Sequence, residues 1–438
     1  MALYAFDGTG SDGRNEISTK NTNVVRFLDC YGETSAPNVT LSTLSDDAEY
    51  IAGVGTRLGP LGKLFGGFNG AGGRERVREL MHRFARNWAQ GDHVVDVIGF
   101  SRGAALALHF CNALSDGVEI AGHKVKPIVR FLGLWDTVPA FGLPGILIDA
   151  FNDINLGWRL NVPANVKRCF HAMALDEDRQ AFRVHRPKIE QPAGAGNACE
   201  TALEELWFRG VHSDVGGGNE KVGLSSIALH WMLECARTCG APVDTEKMEG
   251  LRKEFAPQAP AHQNAFGGEK ERRQPRAGDR FHPTAGQPLA VGDTKEIEVE
   301  SASKFNVSAI LVEPDAEYVF LFDPAATWVD QDIACTAAGW PDHMPDKPGC
   351  LDNLQWGILK SYFFSNFRRA PRANWFELVA CVDYDLKTAA PVGKGQHTDP
   401  KSPWRPARIG RLSLFANDAE TKYGNNLGTL RVSIRRIK

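Results

Sequence analysis

The stretch HVVDVIGFSRGAA, residues 93 to 105, constrains the fold of this chain more than any other. An apolar run leads directly into Gly99, Ser101 and Gly103, and Ala104 to Leu108 then continue as a helix-forming segment. The pattern predicts a buried strand that turns sharply into a helix. A serine on such a turn needs an unusual backbone conformation, and glycine neighbours let chain and substrate approach it closely. The helix that follows begins with unpaired amides, so the amide of Arg102 stands as a donor to a developing oxyanion. The alternative reading of Ser101 is one polar residue in a glycine-flanked turn, and its partners elsewhere in the chain have to decide.

Over the first 250 residues strand-like and helix-like segments alternate. ALYAF, EYIAGVG, HVVDVIGF, IVRFLGLW, VKRCFHAMAL and ELWFRGVH read as strands, with NTNVVRFLDC, RERVRELMHRFARNWA, RGAALALHFCNAL and LSSIALHWMLECART as helices among them. Alternation of this kind predicts an α/β unit over 1–252, a mostly parallel sheet with helices on both faces and sites at the carboxyl ends of its strands. Residues 253–295 are rich in Pro, Gly and charge and poor in apolar side chains, which predicts a polar linker. From 296 to 438 the segments KEIEVE, KFNVSAIL, EYVFLF, NWFELVACVDY, ARIGRLSLFAND and TLRVSIRRI predict a separate β-sandwich. A length of 438 residues suits such a division, because it exceeds one ordinary core.

A serine hydroxyl is a weak nucleophile until a base takes its proton, and the base needs a third group to fix its tautomer. Where a nucleophilic serine sits on a strand-to-helix turn of this kind, the chain order is Ser, then Asp or Glu, then His, with the acid and base on loops at strand ends. FLGLWDTVPAF puts Asp136 directly after a strand, and FRGVHSDVGGGN puts His212 at the end of another, before Gly216 to Gly218. Asp176 and Asp214 rival Asp136 as the acid. Among the 12 histidines, His93, His109, His171 and His230 sit in strand or helix patterns and read as structural, while His185 lies in a charged loop. A second oxyanion donor is expected from the turn after the first strand, YAFDGTG, at Gly8 and Thr9. That turn has a plain structural reading too. A phosphatase of the D-x-D-G-T type is disfavoured, because Ala5 stands where its first aspartate would be.

A net charge of -3 gives no case for wholesale nucleic-acid binding. The N-terminus MALYAFDG lacks a basic segment and a long apolar run, so synthesis in the cytoplasm without a signal peptide is expected. Nine cysteines show no zinc or redox spacing and read as buried thiols, with Cys335 and Cys350 the pair open to oxidation. The glycine-rich segment 55–73 carries Leu58, Leu61, Leu64, Phe65 and Phe68 in an irregular context. It reads as a lid, a lipid-contacting loop, or a surface loop folded back on its own domain.

Taken jointly and in order, FDGTG, GFSRGA, LWDTV, HAMALDEDRQAFR and FRGVHSDVGGG resemble the bacterial α/β-hydrolases typified by the phospholipase effectors of type VI secretion systems. The resemblance spans residues 4 to about 240. It implies an α/β-hydrolase fold, Ser101, Asp136 and His212 as a triad that uses no metal, and phospholipid esters as substrate. It also implies secretion without a signal peptide, action in the periplasm or at the membrane of a target cell, a secretion-apparatus partner and a cognate immunity protein. Two other classes stay open: an esterase or acyltransferase on soluble substrates, and a carbohydrate-binding surface protein whose hydrolase domain is inactive.

FANDAETKYGNNLG, residues 415 to 428, is similar to the calcium loop of the calcium-dependent, galactose-binding bacterial lectins. The similarity implies Asp418, Asn425 and Asn426 as side-chain ligands of Ca²⁺, the carbonyl of Lys422 as a backbone ligand, and a glycan as a further partner. Hard oxygen donors suit that ion. The alternative is a tight turn between two strands.

Overall fold

The computed structural model describes residues 2–8, 21–32, 70–139, 157–190, 201–257, 259, 261–262, 273–276, 278–331, 333–340 and 368–438. The expected strand at 49–55, Thr9, Cys350 and most of the glycine-rich segment lie outside these residues. The chain divides into two compact units, Met1–Arg273 with Asp279–His282, and Gln274–Gly278 with Pro283–Lys438.

The first unit is built on a parallel sheet of β1 (Ala2–Phe6), β2 (Val95–Phe100), β5 (Val129–Trp135), β6 (Val166–Ala174), β7 (Ala202–Phe208) and β8 (Arg280–Phe281), paired in that order. A small hairpin, β3 (Val118–Ile120) and β4 (His123–Val125), stands apart. Strands buried on both faces need near-continuous apolar sequence, which Val95–Phe100 and Val129–Trp135 supply. Helices α1 (Asn23–Cys30) and α5 (Ser225–Thr238) cover one face, where Phe27, Phe131, Trp135 and Met232 pack together. On the other face α2 (Gly70–Ala89) and α3 (Arg102–Asp116) bury Phe84, Leu106 and Phe110 against Val97, Leu132 and Leu134. Each fully buried Phe or Leu contributes about 1.5–3 kcal/mol. Two short helices, α4 (His212–Gly216) and α6 (Thr245–Gly250), also belong to the unit.

The start of α3 lies directly on the sheet. A Cβ at Gly103 would stand 2.2 Å from the carbonyl oxygen of Phe6, and one at Gly99 would stand 2.6 Å from Ala104 Cα. Only glycine permits this approach, and it sets how far Ser101 is raised above the strand ends.

The segment expected as a polar linker, 253–295, is in its described parts structured. Arg280–Phe281 joins the parallel sheet beside Leu206 and Trp207, and Asp279 accepts hydrogen bonds from Arg186 and from Trp207 Nε1 at 2.8 Å. Further on, β9 (Gln287–Pro288) and the start of β10 (Thr294–Glu300) already belong to sheets of the second unit. Low apolar content here reflects ion pairing and edge positions instead of an unstructured tether.

The second unit is a β-sandwich. One sheet orders β16 (Asp385–Pro391), β15 (Leu378–Val382), β17 (Gly410–Ala416), β11 (Asn306–Val312) and β9. Two smaller sheets hold β10, β19 (Thr429–Arg436) and β12 (Tyr318–Leu321), and β14 (Ile333–Thr336), β13 (Thr327–Asp330) and β18 (Asn426–Leu427). Val299, Leu430, Val432 and Ile434 from one side meet Leu378, Ala380, Leu412 and Leu414 from the other in a single apolar cluster.

Replacing Gly103 by Ala is expected to destabilise the protein by more than about 2 kcal/mol, because backbone must move to admit the methyl group. Gly250→Ala, where the added carbon meets nothing within 4 Å and φ is -57°, is expected to be neutral or stabilising. Urea unfolding of the two variants checks the contrast.

Candidate active site

Ser101 and Asp136 occupy equivalent places at the carboxyl ends of adjacent strands. The sheet ladder runs on into both: Ser101 N donates to Trp135 O at 3.0 Å, and Asp136 N donates to Ala172 O at 2.8 Å. Both then leave the extended conformation, with φ of 59° at Ser101 and 44° at Asp136. A non-glycine residue in that region is strained. Here the strain turns the chain into α3 and lifts the Ser101 side chain off the sheet.

His212 is not the end of a strand, as the sequence pattern suggested. β7 stops at Phe208, and His212 is the first residue of α4. The structure brings it between the other two. Ser101 Oγ lies 2.9 Å from His212 Nε2, and His212 Nδ1 lies 2.6 Å from Asp136 Oδ2. With Nδ1–H directed at the carboxylate, the Nε2 lone pair faces the serine hydroxyl, the arrangement a general base requires.

The imidazole is held by the segment HAMALDEDRQAFR. Its ring stands between Phe100, with centroids 4.6 Å apart, and Phe182 at 5.0 Å. Arg179 lies over the Phe182 ring and grips Glu177 through Nε at 2.7 Å and Nη2 at 2.8 Å. Glu177 accepts the backbone amide of His212 at 3.1 Å. Burial pushes the Glu177 carboxyl up, but Arg179, with His212 and Arg273, outweighs it and leaves it below its ordinary value. The rival acids serve the same loop. Asp176 accepts from Gly210 N at 2.7 Å; Asp214 accepts from Val211 N at 3.0 Å and pairs with His262. His171 lies in β6 between Thr137 and Glu205.

Arg273 is the residue that sequence reasoning missed. Its Nη1 and Nη2 donate to Asp136 Oδ1 at 2.5 Å and Oδ2 at 2.9 Å, and the same two nitrogens reach Ala174 O and Phe182 O. Asp136 is wholly buried and also accepts from Ala174 N at 2.9 Å. Burial alone would push its carboxyl up; Arg273 and His212 together hold it well below the usual carboxylate range. Nothing in the sequence marks Arg273 among the charges of EKERRQPR.

At the oxyanion side, Arg102 is the first residue of α3, where amides have no partner within the helix. Burial pushes its guanidinium down to about 10, with Arg76 adding to the effect. Gly8 stands against Ser101, since a Cβ there would meet Ser101 Cβ at 3.4 Å. Its amide donates to Asp7 Oδ1 at 2.6 Å. Thr9 lies outside the described residues.

In the second unit Asp418 follows β17, Asn425 ends a short turn Tyr423–Asn425, and Asn426 opens β18. Asp418 Oδ1 accepts from Ala419 N at 2.6 Å, and Lys422 O accepts from Asn425 N at 3.3 Å. Asn426 Nδ2 donates to Ser301 O at 3.2 Å, while Asn425 Oδ1, Asn426 Oδ1 and Ser301 Oγ are buried without a hydrogen-bond partner.

A parallel sheet with a serine on a strained strand-to-helix turn and an acid at the next strand end defines an α/β-hydrolase, here followed by a β-sandwich. The chain belongs to the Tle1-like phospholipase effectors of the type VI secretion system (T6SS), whose catalytic-domain model matches residues 3–117 and 112–235. Among solved structures it is similar to an uncharacterized protein from Pseudomonas aeruginosa, 22% identical over 58% of this chain and 48% of that one, with a TM-score of 0.36. It is also similar to the Tle1 effector bound to the VgrG spike of the Type 6 secretion system, 17% identical over 95% of this chain and 69% of that one, TM-score 0.31. The EclA N-terminal domain, a PllA-like lectin, is 15% identical over 32% of this chain and 94% of that one, TM-score 0.20. The chain spans about half the length of the first of these structures. No curated protein matches it.

The buried pair makes a stability prediction. Asp136, with its depressed folded value, contributes stability that is present above the unfolded carboxylate pKa of about 3.9 and is lost as pH falls through the lower folded value. Asp136→Asn leaves Arg273 buried without its counter-charge and is expected to cost about 3–5 kcal/mol at pH 7. Urea midpoints of parent and variant should converge as the pH drops below about 4.

Proposed function

We propose that this protein is a serine esterase that hydrolyses acyl esters of phospholipids and acts as a secreted antibacterial effector. The observation that carries the reading is the hydrogen-bonded line from Ser101 Oγ through His212 to Asp136, at 2.9 and 2.6 Å, in a chain of the phospholipase effector family. Ser101 Oγ attacks the ester carbonyl while its proton passes to His212 Nε2. The tetrahedral intermediate collapses as His212 returns that proton to the departing lysolipid oxygen, and water repeats the sequence on the acyl-enzyme. Asp136 fixes the imidazole tautomer and faces the imidazolium. The Arg102 amide at the start of α3 receives the oxyanion, and a second donor from Gly8 or Thr9 belongs to the same reading. None of these steps uses a metal.

Ca²⁺ belongs to the second unit in this reading. The orphaned oxygens of Asn425, Asn426 and Ser301 fit a hard cation, because buried acceptors without donors cost free energy unless something satisfies them. Asp418, Asn425, Asn426 and the Lys422 carbonyl would hold the ion, which would shape the loop for a surface glycan and keep the hydrolase near its membrane substrate. Among the described residues no helix is long and apolar enough to cross a membrane. The remaining partners are a spike component of the secretion apparatus and an immunity protein, and the place of action is the periplasm or membrane of the target cell.

Purified protein and Ser101→Ala are compared on phospholipid vesicles and on a short soluble ester, with a fluorophosphonate probe reporting the nucleophile. The parent is expected to be labelled and to cut both substrates, and Ser101→Ala to do neither. Turnover of the soluble ester alone points to the esterase alternative; no turnover and no labelling point to a binding protein with an inactive hydrolase domain. Calorimetry should show calcium heat that Asp418→Ala loses, and a chelator should leave soluble-ester turnover intact. Chelation that abolishes that turnover assigns the ion to the first unit instead.

A further inference from the structure

Four hydrogen bonds fill the acceptor positions of the Asp136 carboxylate, and two of them come from one guanidinium. We propose that Arg273 is a positioning residue for the hydrolysis, clamping Asp136 in the plane His212 needs and offsetting its charge. This rests on the nucleophilic role proposed above for Ser101.

The geometry carries the argument. A guanidinium is a planar fork that meets both oxygens of a carboxylate in parallel, so it fixes the rotation of the Asp136 side chain as well as its position. The fork is itself immobilised, because Ala174 O and Phe182 O accept from the same two nitrogens at 2.7 and 2.5 Å. Ala174 ends β6, next to the acid, and the Phe182 ring abuts the His212 imidazole. One side chain thus ties together the acid, the neighbouring strand end and the wall of the base. Asp176 instead accepts from Gly210 N, and Asp214 accepts from Val211 N and pairs with His262.

The charge has a second consequence. After Ser101 gives up its proton, the imidazolium faces Asp136, whose negative charge is offset by Arg273. Among the described residues, the other charged groups bonded to His212 or to the segment that carries it are Glu177 with Arg179, Asp176, and Asp214, which pairs with His262. Unlike these, Arg273 is bonded to both oxygens of the acid. Removing it strengthens the hold of the carboxylate on the imidazolium, so the neutral base needed for attack is reached only at higher pH. The acidic limb of the rate profile then moves up.

The test uses the full-length protein with Arg273→Ala and Arg273→Lys, a short soluble ester, and fluorophosphonate labelling of Ser101. Both variants are expected to lose about 100-fold in kcat with KM little changed, since a misplaced catalytic group costs that much. The acidic limb is expected to rise by about one pH unit in Arg273→Ala and to stay in place in Arg273→Lys, which keeps the charge and loses the fork. Millimolar guanidinium ion should raise kcat of Arg273→Ala and leave the parent unaffected. Parental kcat in either variant overturns the clamp. A loss of kcat in Arg273→Ala with the limb unmoved and no response to guanidinium also overturns it, by showing a role in stability alone. If Arg273→Ala does not fold, the kcat and limb of Arg273→Lys decide. If the parent itself is neither labelled nor active, the role of Ser101 falls and takes this proposal with it; a labelled, active parent beside an unaffected variant removes only the proposal.

Discussion

A carboxylate withdrawn wholly from water is protonated, or costs the fold several kcal/mol, unless charge and hydrogen bonds replace its hydration. Asp136 is such a group, and its compensation organises the first unit. Donors reach it from the amide of Ala174, from His212 and from Arg273, whose sequence separations from Asp136 are 38, 76 and 137 residues. The strand end, the short helix and the late segment must therefore all be seated before the acid is stable. The acid thus draws on three distant parts of the chain, which is why a residue beyond the expected catalytic boundary belongs to the same unit.

A second constraint acts on the backbone. Ser101 and Asp136 both carry positive φ, yet each is pinned by a ladder hydrogen bond from the strand beside it. Strain of this kind persists only where the surroundings over-determine it. Here the sheet supplies the anchor, and the contact of Gly103 with Phe6 O brings the helix start down onto it. What the strain gains is placement: the serine oxygen stands clear of the sheet, beside amides that a straight strand would have spent on its ladder.

The second unit shows the same logic with different chemistry. Asn417 holds the segment Ala370–Asn374 through its amide, accepting from Ala370 N and donating to Ala370 O and Asn374 O at 2.9 Å. Arg369 stacks over Phe305 and Phe415 and donates to Tyr423 Oη at 2.8 Å, which ties the middle of the 417–428 segment to that aromatic cluster. The partnerless oxygens of Asn425 and Asn426, two of several buried polar atoms in this unit without a hydrogen-bond partner, give the calcium proposal its physical footing.

Much of this was legible in the chain. The apolar runs at 95–100 and 129–135, the glycines around Ser101 and the order of serine, aspartate and histidine are local patterns, and local sterics and burial decide what they become. The β-rich character of the C-terminal part was legible for the same reason. Tertiary structure alone decided which of several acidic residues faces His212, because Asp136, Asp176 and Asp214 all follow apolar segments and differ only in what the folded sheet places beside them. It also decided that the Gly8 amide closes on Asp7, that His212 begins a helix, and that a charged stretch resembling a linker delivers Arg273 to a buried acid. Those outcomes depend on charge and hydrogen-bond compensation between residues far apart in sequence, and no window of neighbouring residues contains both partners.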